Sequence, residues 1–251
     1  MKVGYYIPSR HRADKQHTAR LLERAGLPYK VFVEDNDYEA YCRELGENNV
    51  INLGGNDYGH VTYARNAIKE YSISQGEDWH WNIDDDMRHV YRLSRGKNIS
   101  VCASQIIPYA EEFVQRYTNV GIAALAANTF NAFTTRPFDV NQFCYGFMLV
   151  KNDHRRWTAG VEDDLDYNLQ VLTEGECTIS FKAFSFYMSP QNAHKGGMTD
   201  IRTTERRNKW IENTIAKWPQ LSMTVTTNSK GEPRVNSSAV WRKFNHGLIK
   251  K

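Results

Sequence analysis

"WNIDDDMRHV", residues 81–90, sets Asp84, Asp85 and Asp86 side by side at the end of an apolar, aromatic run. Three adjacent carboxylates repel one another, so the triplet is costly unless a cation or a set of donors offsets it. The segment leading into it, "DWHWNID" (78–84), reads as a strand. On a strand, side chains alternate between faces, which puts Asp84 and Asp86 on one side and points Asp85 elsewhere. Two carboxylates in that relation suit a hard divalent cation. Mg²⁺ or Mn²⁺ would keep open positions for water and phosphate oxygens. The spacing is not that of an EF-hand loop. The competing reading is an acidic turn facing water.

Upstream of this strand, the chain alternates. "KVGYYIPS" (2–9) is strand-like and ends in a Pro-Ser turn, and "KQHTARLLERAGL" (15–27) has helical spacing with Gly26 as a stop. "YKVFVED" (29–35), "YEAYCRELG" (38–46), "NVINLGG" (49–55) and "VTYARNAIKEYSISQG" (61–76) continue as strand, helix, strand and helix. Such a series argues for an α/β fold with a mostly parallel sheet flanked by helices. In that architecture functional residues gather beyond the carboxyl ends of the strands. Ser9, Arg10, Glu34, Asp35 and the Asp84–Asp86 triplet all fall there.

The second half is less regular. Helices are expected over 108–119 and 163–175, and strands over 120–128, 142–151 and 177–188. A helix near 200–217 follows, then a hairpin about a Lys-Gly-Glu turn in "MTVTTNSKGEPRVN". With no linker, repeat or low-complexity segment, 251 residues read as one domain, long enough to bury about 75% of its unfolded surface.

The net charge of +3 does not demand a nucleic-acid partner, but the charge is uneven. "SRHRADKQHTAR" (9–20), "RTTERRNK" (202–209) and "RKFNHGLIKK" (242–251) are basic and can steer polyanions. Solvated surface is the alternative for each. Cys42, Cys102, Cys144 and Cys177 fit no zinc spacing, and most sit in apolar runs as buried thiols of a reducing compartment. No signal peptide or membrane-length apolar run is present, so a cytoplasmic location without membrane contact is expected.

Three further clusters bear on chemistry. "AGVEDDLDYNL" (159–169) opens a helix with acids. Dipole complementarity explains that pattern generally. A carboxylate among Glu162, Asp163 and Asp164 that takes a proton from an attacking hydroxyl is the functional reading. "SPQNAHKGGMTD" (189–200) offers His194 as a third metal ligand, with Lys195 and the Gly196-Gly197 backbone for phosphates. "GGNDYGHVTYARNA" (54–67) is Gly-rich and carries Arg65 and Asn66 just inside a helix. Neither standard Gly-rich phosphate loop occurs.

In this order, the "IPSR" turn, the acid after the second strand, the "ARN" helix, the "IDDD" strand end, the "EDD" helix and a late His resemble a GT-A (Rossmann-like) glycosyltransferase over about residues 3–200. With the aromatic "FCYGFML" strand between, the chain most resembles the TET-associated glycosyltransferase family. These enzymes, common in phages, are proposed to add sugars to hydroxymethylated pyrimidines in DNA. The resemblance implies a nucleotide-binding half (1–100), an acceptor half (101–200) and a C-terminal helix with a basic tail (201–251).

It also implies roles by position. Ser9, Arg10, Glu34 and Asp35 lie near the nucleoside, and Arg65 and Asn66 near the base or ribose. Asp84 and Asp86 hold Mn²⁺ or Mg²⁺ and the sugar end, with Asp85 beside the donor. His194 completes the metal shell and Lys195 faces the diphosphate. Asp164, Asp163 or Glu162 is the acceptor base. The donor implied is a nucleotide sugar such as UDP-glucose or a relative. The acceptor implied is double-stranded DNA carrying a hydroxymethylated pyrimidine such as 5-hydroxymethylcytosine. The location implied is the cytoplasm, that of an infected host cell if a phage encodes the chain. A duplex acceptor requires the base to leave the stack. Tyr145, Phe143 and Trp157 are candidates to line its path, although Phe143 reads better as core.

The alternatives are a glycosyltransferase acting on a glycan or protein hydroxyl, a nucleotidyltransferase, and a non-catalytic nucleic-acid-binding module. A nucleotidyltransferase would show a Gly-rich loop after the first strand, which "IPSRHRADK" lacks. A binding module would not need the acidic clusters.

Overall fold

The computed structural model describes residues 1–55, 60–130, 135–189, 195–228 and 231–251. In chain order the elements are β1 (Val3–Pro8), α1 (His17–Arg24), β2 (Lys30–Val33), α2 (Asp35–Leu45), β3 (Val50–Asn52), α3 (Thr62–Ser74), β4 (Trp79–Ile83), β5 (Met87–Ser94) and β6 (Lys97–Val101). There follow α4 (Ile107–Gln115), β7 (Val120–Ala127), β8 (Phe138–Val140), β9 (Phe147–Lys151), α5 (Asp163–Thr173), β10 (Cys177–Met188), α6 (Thr204–Lys217), β11 (Thr224–Thr227) and β12 (Pro233–Asn236).

Ten strands form one mixed sheet in the order β3-β2-β1-β4-β9-β7-β10-β5-β6, with β8 paired to β10. β1, β2, β3, β4, β7, β10 and β6 run one way, and β9, β5 and β8 run against them. The expected mostly parallel α/β sheet is present. β11 and β12 form a separate antiparallel hairpin, as expected, although part of its Lys-Gly-Glu turn lies outside the described residues.

Strand alternation divides the core in two. Ile7, Val31, Val33, Trp81, Ile83 and Leu149 face a layer holding Leu22 of α1, Tyr41 of α2 and Val114 of α4. On the opposite face Tyr6 and Phe32 pack on Ile68 of α3, and Ile122, Met148 and Val150 pack with Tyr167 and Val171 of α5. A further cluster joins Leu165, Leu169 and Leu172 of α5 to Ile211 of α6 and to Met223, Val235 and Trp241. This is how the C-terminal segment is held to the sheet.

Three local expectations are corrected. β4 stops at Ile83, so Asp84–Asp86 lie in a turn, and the chain reverses directly into β5, which sequence periodicity missed. Strand alternation therefore does not govern the triplet. The expected strand over 142–151 begins only at Phe147. Phe143, assigned to the core, is 37% exposed and stacks on Tyr145 with ring centroids 5.3 Å apart. Of the cysteines, all of them free, Cys144 and Cys177 are buried and Cys42 and Cys102 half-buried. Among the described residues no helix is long and apolar enough to cross a membrane.

Candidate active site

The carboxyl ends of β1, β2, β4, β7 and β10 open onto one cavity of about 580 Å³. Its lining includes Ser9, Arg10, Arg12 and Glu34 on one side, the Asp84–Asp86 turn at the base, and Asp163 and Asp164 from the first turn of α5. Tyr145, Phe186, Tyr187 and Met188 give it an aromatic and apolar wall. This is where an α/β sheet of this kind places its ligand crevice.

Arg65 organises the acidic side. It sits in the first turns of α3, 3% exposed at the side chain, with Nη1 2.5 Å from both Asp163 Oδ2 and Asp164 Oδ1 and Nη2 3.1 Å from Asp84 Oδ1. Its guanidinium also lies 5.9 Å from the centre of the Trp157 ring. One cation thus serves three carboxylates from two distant parts of the chain. Burial pushes Asp164 up to about 8 against the pull of Arg65, and raises Asp84 in the same way. Burial also raises Glu162, but that side chain is not among those lining the cavity. The Glu162 N–H donates to Thr214 Oγ1 at 2.8 Å, which ties the helix start to α6.

The middle acid of the triplet does not point away. Asp85 is buried and accepts from Ser9 Oγ at 2.6 Å and from Arg12 Nη1 at 2.6 Å. Ser9 Oγ lies 2.7 Å from the Tyr41 hydroxyl, and that hydroxyl accepts from the Arg12 N–H at 3.0 Å. Asp85 therefore locks the β1 turn to the β4 turn. The turn itself is fixed by Thr18, whose hydroxyl donates to the Asp84 carbonyl at 2.5 Å and accepts from the Met87 N–H at 3.0 Å.

Arg12 also reaches the segment after β10, donating from Nε to the Lys195 carbonyl at 3.2 Å and from Nη2 to the Gly196 carbonyl at 2.9 Å. Gly196 has φ of 87°, and a Cβ there would stand 2.7 Å from the His11 carbonyl oxygen. Only glycine lets the two backbones meet so closely. This places the Lys195 backbone at the β1 turn, with its side chain exposed.

Asp86 is the acid without a full set of partners. Its Oδ1 is buried and has no hydrogen-bond partner. Burial, then the charges of Asp84 and Asp85, push its carboxyl up to about 7. A divalent cation would relieve that desolvation and repulsion, so Asp86, with Asp84 beside it, fits such an ion. Among the described residues no group of three His, Cys, Asp or Glu side chains is placed to hold a metal. A site of one or two carboxylates completed by substrate phosphates is the usual arrangement for Mg²⁺. His194 lies outside the described residues.

Other expected residues are placed differently. Asn66 exchanges hydrogen bonds with the Trp157 backbone, donating to its carbonyl and accepting from its N–H, both at 2.9 Å, and is absent from the lining. It braces the loop that carries Trp157. Asp35 is exposed at the start of α2, while Asp37, two residues further on, is buried and accepts from the His11 N–H at 2.6 Å. Arg10 Nε lies 3.6 Å from Glu34 Oε2, so those two expected residues do meet. Trp157 is buried, stacked on Tyr167 at 4.2 Å, whereas Tyr145 lines the cavity.

Sequence reading missed Arg12, Asp37, Tyr41 and His60. His60 lines the cavity; its Nδ1 accepts from the Thr62 N–H at 3.3 Å, and its Nε2 is buried without a partner. The signal for His60 was its place in the Gly-rich segment before Arg65. The signal for Arg12 was its place in the basic turn after β1.

A crevice beyond the strand ends, floored by carboxylates and rimmed by arginines, is the ligand site of an α/β enzyme. The chain belongs to the TET-associated glycosyltransferase family, whose sequence model matches residues 3–197, and it is a glycosyltransferase. Such an enzyme uses a nucleotide-sugar donor and an acceptor. A crystal structure of A197 from STIV is similar at 13% identity with a TM-score of 0.44, over 76% of this chain and 87% of that one. That likeness is too loose to bear on function. No curated protein matches the chain.

Proposed function

We propose that this enzyme moves a sugar from a nucleotide-sugar donor, a UDP-sugar by resemblance, to the hydroxymethyl group of a modified pyrimidine in DNA. The observation that carries the reading is the convergence of Asp84, Asp163 and Asp164 on Arg65 beside the partnerless oxygen of Asp86, inside a cavity at the strand ends.

Ser9, Arg10 and Glu34 receive the nucleoside, and Arg10, Arg12 and the Lys195–Gly197 backbone stand on the diphosphate side. Asp86 and Asp84 would hold the divalent ion, which supplies neutralisation of the departing diphosphate. Asp164 is the acceptor base, with Asp163 its alternate. It lines the cavity, and its raised pKa makes it a stronger proton acceptor once ionised. Glu162 falls behind them because it does not line the cavity. In the step itself Asp164 takes the proton of the acceptor hydroxyl as the oxygen bonds to the anomeric carbon. The bond from that carbon to the diphosphate breaks, and the leaving oxygen keeps the electron pair. Arg65 holds Asp164 in position and tempers its charge.

Support for a DNA acceptor comes from the basic C-terminal side chains. Arg206 and Arg242 are exposed, while Arg207 pairs with Glu232 at 3.1 Å and Lys243 donates to the Leu221 carbonyl at 2.7 Å. The test is mass spectrometry of hydroxymethylated DNA incubated with the enzyme, Mn²⁺ and a panel of nucleotide sugars. A sugar on the modified base is the expected result. Donor consumption with every sugar found on a glycan or protein acceptor instead would reject it.

A further inference from the structure

His60 stands where the Gly-rich segment after β3 meets α3, and it lines the cavity. Three contacts hold it. Its Nδ1 accepts from the Thr62 N–H at 3.3 Å, and its carbonyl accepts from the Tyr63 N–H at 3.4 Å. Its ring meets that of Trp210 on α6 with centroids 4.7 Å apart and planes at 79°. Those contacts account for the backbone, for Nδ1 and for the apolar body of the ring. They leave Nε2 buried and without a hydrogen-bond partner.

The hydrogen-bond pattern decides what Nε2 can do. A neutral imidazole has one N–H and one bare nitrogen. Because Nδ1 accepts from Thr62, the ring's own proton is on Nε2. Burial holds the imidazolium below its ordinary value, against the pull of Asp163, so the ring is neutral at neutral pH. His60 is therefore a fixed, uncharged N–H donor in the cavity wall. Buried donors in native proteins have partners, so one left over beside a ligand cavity points to a partner that arrives with the ligand.

Asp163 narrows the choice of partner. It lines the same cavity, and its charge acts on the His60 ring. Its Oδ2 pairs with Arg65 Nη1 at 2.5 Å, whereas its Oδ1 makes no hydrogen bond among the described residues. An N–H that can only donate and a carboxylate oxygen that can only accept suit a hydroxyl, which accepts from the first and donates to the second. A phosphodiester or a pyrimidine carbonyl has no proton to give to Asp163. The substrate part rich in hydroxyls at the carboxylate end of the cavity is the sugar being transferred.

We infer that His60 is a specificity residue for the donor: its Nε2–H donates to a hydroxyl of the transferred sugar, and that hydroxyl donates to Asp163. This rests on the reading of the donor as a UDP-sugar and is independent of the acceptor. Arg65 fixes Asp163 and Trp210 fixes the His60 ring, so the two sides of the pair are set before the sugar arrives.

The experiment is a calorimetric titration of the full chain, in Mn²⁺, with UDP and with UDP-glucose. The variant is His60→Asn. Asparagine bonds readily to the backbone two residues on, so it keeps the contact to Thr62, but it has nothing in the place of Nε2. UDP should bind wild type and variant within about twofold. UDP-glucose should bind the variant about 3- to 10-fold more weakly, the loss expected for one neutral hydrogen bond. A set of monodeoxy UDP-glucoses identifies the hydroxyl: for one of them the substitution should cost nothing further, because the bond is already gone. Equal losses for UDP and UDP-glucose, which include any loss through misfolding, overturn the inference. So do an unchanged affinity for UDP-glucose and a loss that persists for every deoxy analogue. If the wild type binds no UDP, the UDP-sugar reading falls and the inference falls with it. If the wild type binds UDP but the variant behaves in one of those three ways, the inference falls alone.

Discussion

Two clusters of buried charge sit against the same sheet, and they are built on opposite terms. Below α5, Lys69 lies 2.8 Å from Asp153 Oδ1 and 2.7 Å from the Tyr167 hydroxyl, and Arg155 joins Asp153, Glu174 and Glu176. Lys151 adds a 2.6 Å contact to Glu176. Each carboxylate there has a cation. Gly121 lets the cluster lie close to β7, since a Cβ would stand 2.7 Å from Glu176 Oε2. In the cavity, by contrast, Arg65 alone answers Asp84, Asp163 and Asp164, Arg12 answers Asp85, and Asp86 keeps a buried oxygen with no partner. The first arrangement is neutral and closed. The second is acid-rich and open to a ligand that brings positive charge or gives up a proton. Structural ion clusters and functional ones differ here in charge balance, not in burial.

If that contrast holds, the balanced cluster matters to folding and the unbalanced one to chemistry. Asp153→Ala strands Lys69 and part of Arg155 without their shared carboxylate. It should lower unfolding free energy by about 3–5 kcal/mol in a denaturant titration, while the folded fraction transfers sugar at the native rate. A stability loss under about 1 kcal/mol would erase the distinction.

A smaller effect comes from His80, which lies beside the balanced cluster with Nδ1 2.7 Å from Asn152 Oδ1. Burial holds its imidazolium down at about 3. In the unfolded chain it titrates near 6.5. As pH falls, the unfolded state binds this proton first, so the contribution is complete above about 6.5 and is lost progressively toward the folded value. Its share of the slope is at most about 1.4 kcal/mol per pH unit. Comparing His80→Leu with wild type by denaturation at several pH values between neutrality and pH ~4 should show a flatter acid limb in the variant. Parallel limbs would exclude His80 as a source of acid sensitivity.

The smallest stability change belongs to the cavity. Asp86→Asn removes a carboxylate that is poorly partnered and repelled by its neighbours, so stability should be unchanged or higher, within about 1 kcal/mol. Calorimetric titration with a nucleoside diphosphate should nonetheless show weaker binding in the presence of Mn²⁺. A large loss of stability would mean that Asp86 has a structural partner and does not await a ligand.

The sequence showed the first half of the sheet well because β1 to β4 are separated by helices with clear stops, and the long run 177–188 coincides with β10. It hid the β5–β6 hairpin because His89 and Val90 break the apolar alternation of "MRHVYRLS", and it hid β8 because three residues carry no period. In the site, the acids were visible as clusters, but their assignments depend on partners far along the chain. Asp85 is defined by Ser9 and Arg12, Asn66 by Trp157, and Arg65 by Asp163 and Asp164. The "ARN" triplet gives no local reason for Arg65 to enter the cavity while Asn66 braces a loop. That division comes from which side of α3 faces α5.

The most direct test of the account is Asp164→Asn, assayed for sugar transfer and for nucleotide binding on the same preparation. The amide keeps the size and one acceptor oxygen but takes no proton, so kcat should fall by roughly 10²–10⁴-fold while donor affinity stays within a few-fold. Near-native turnover in Asp164→Asn and in the matching Asp163→Asn would contradict the account, because the unbalanced cluster would then not contain the base.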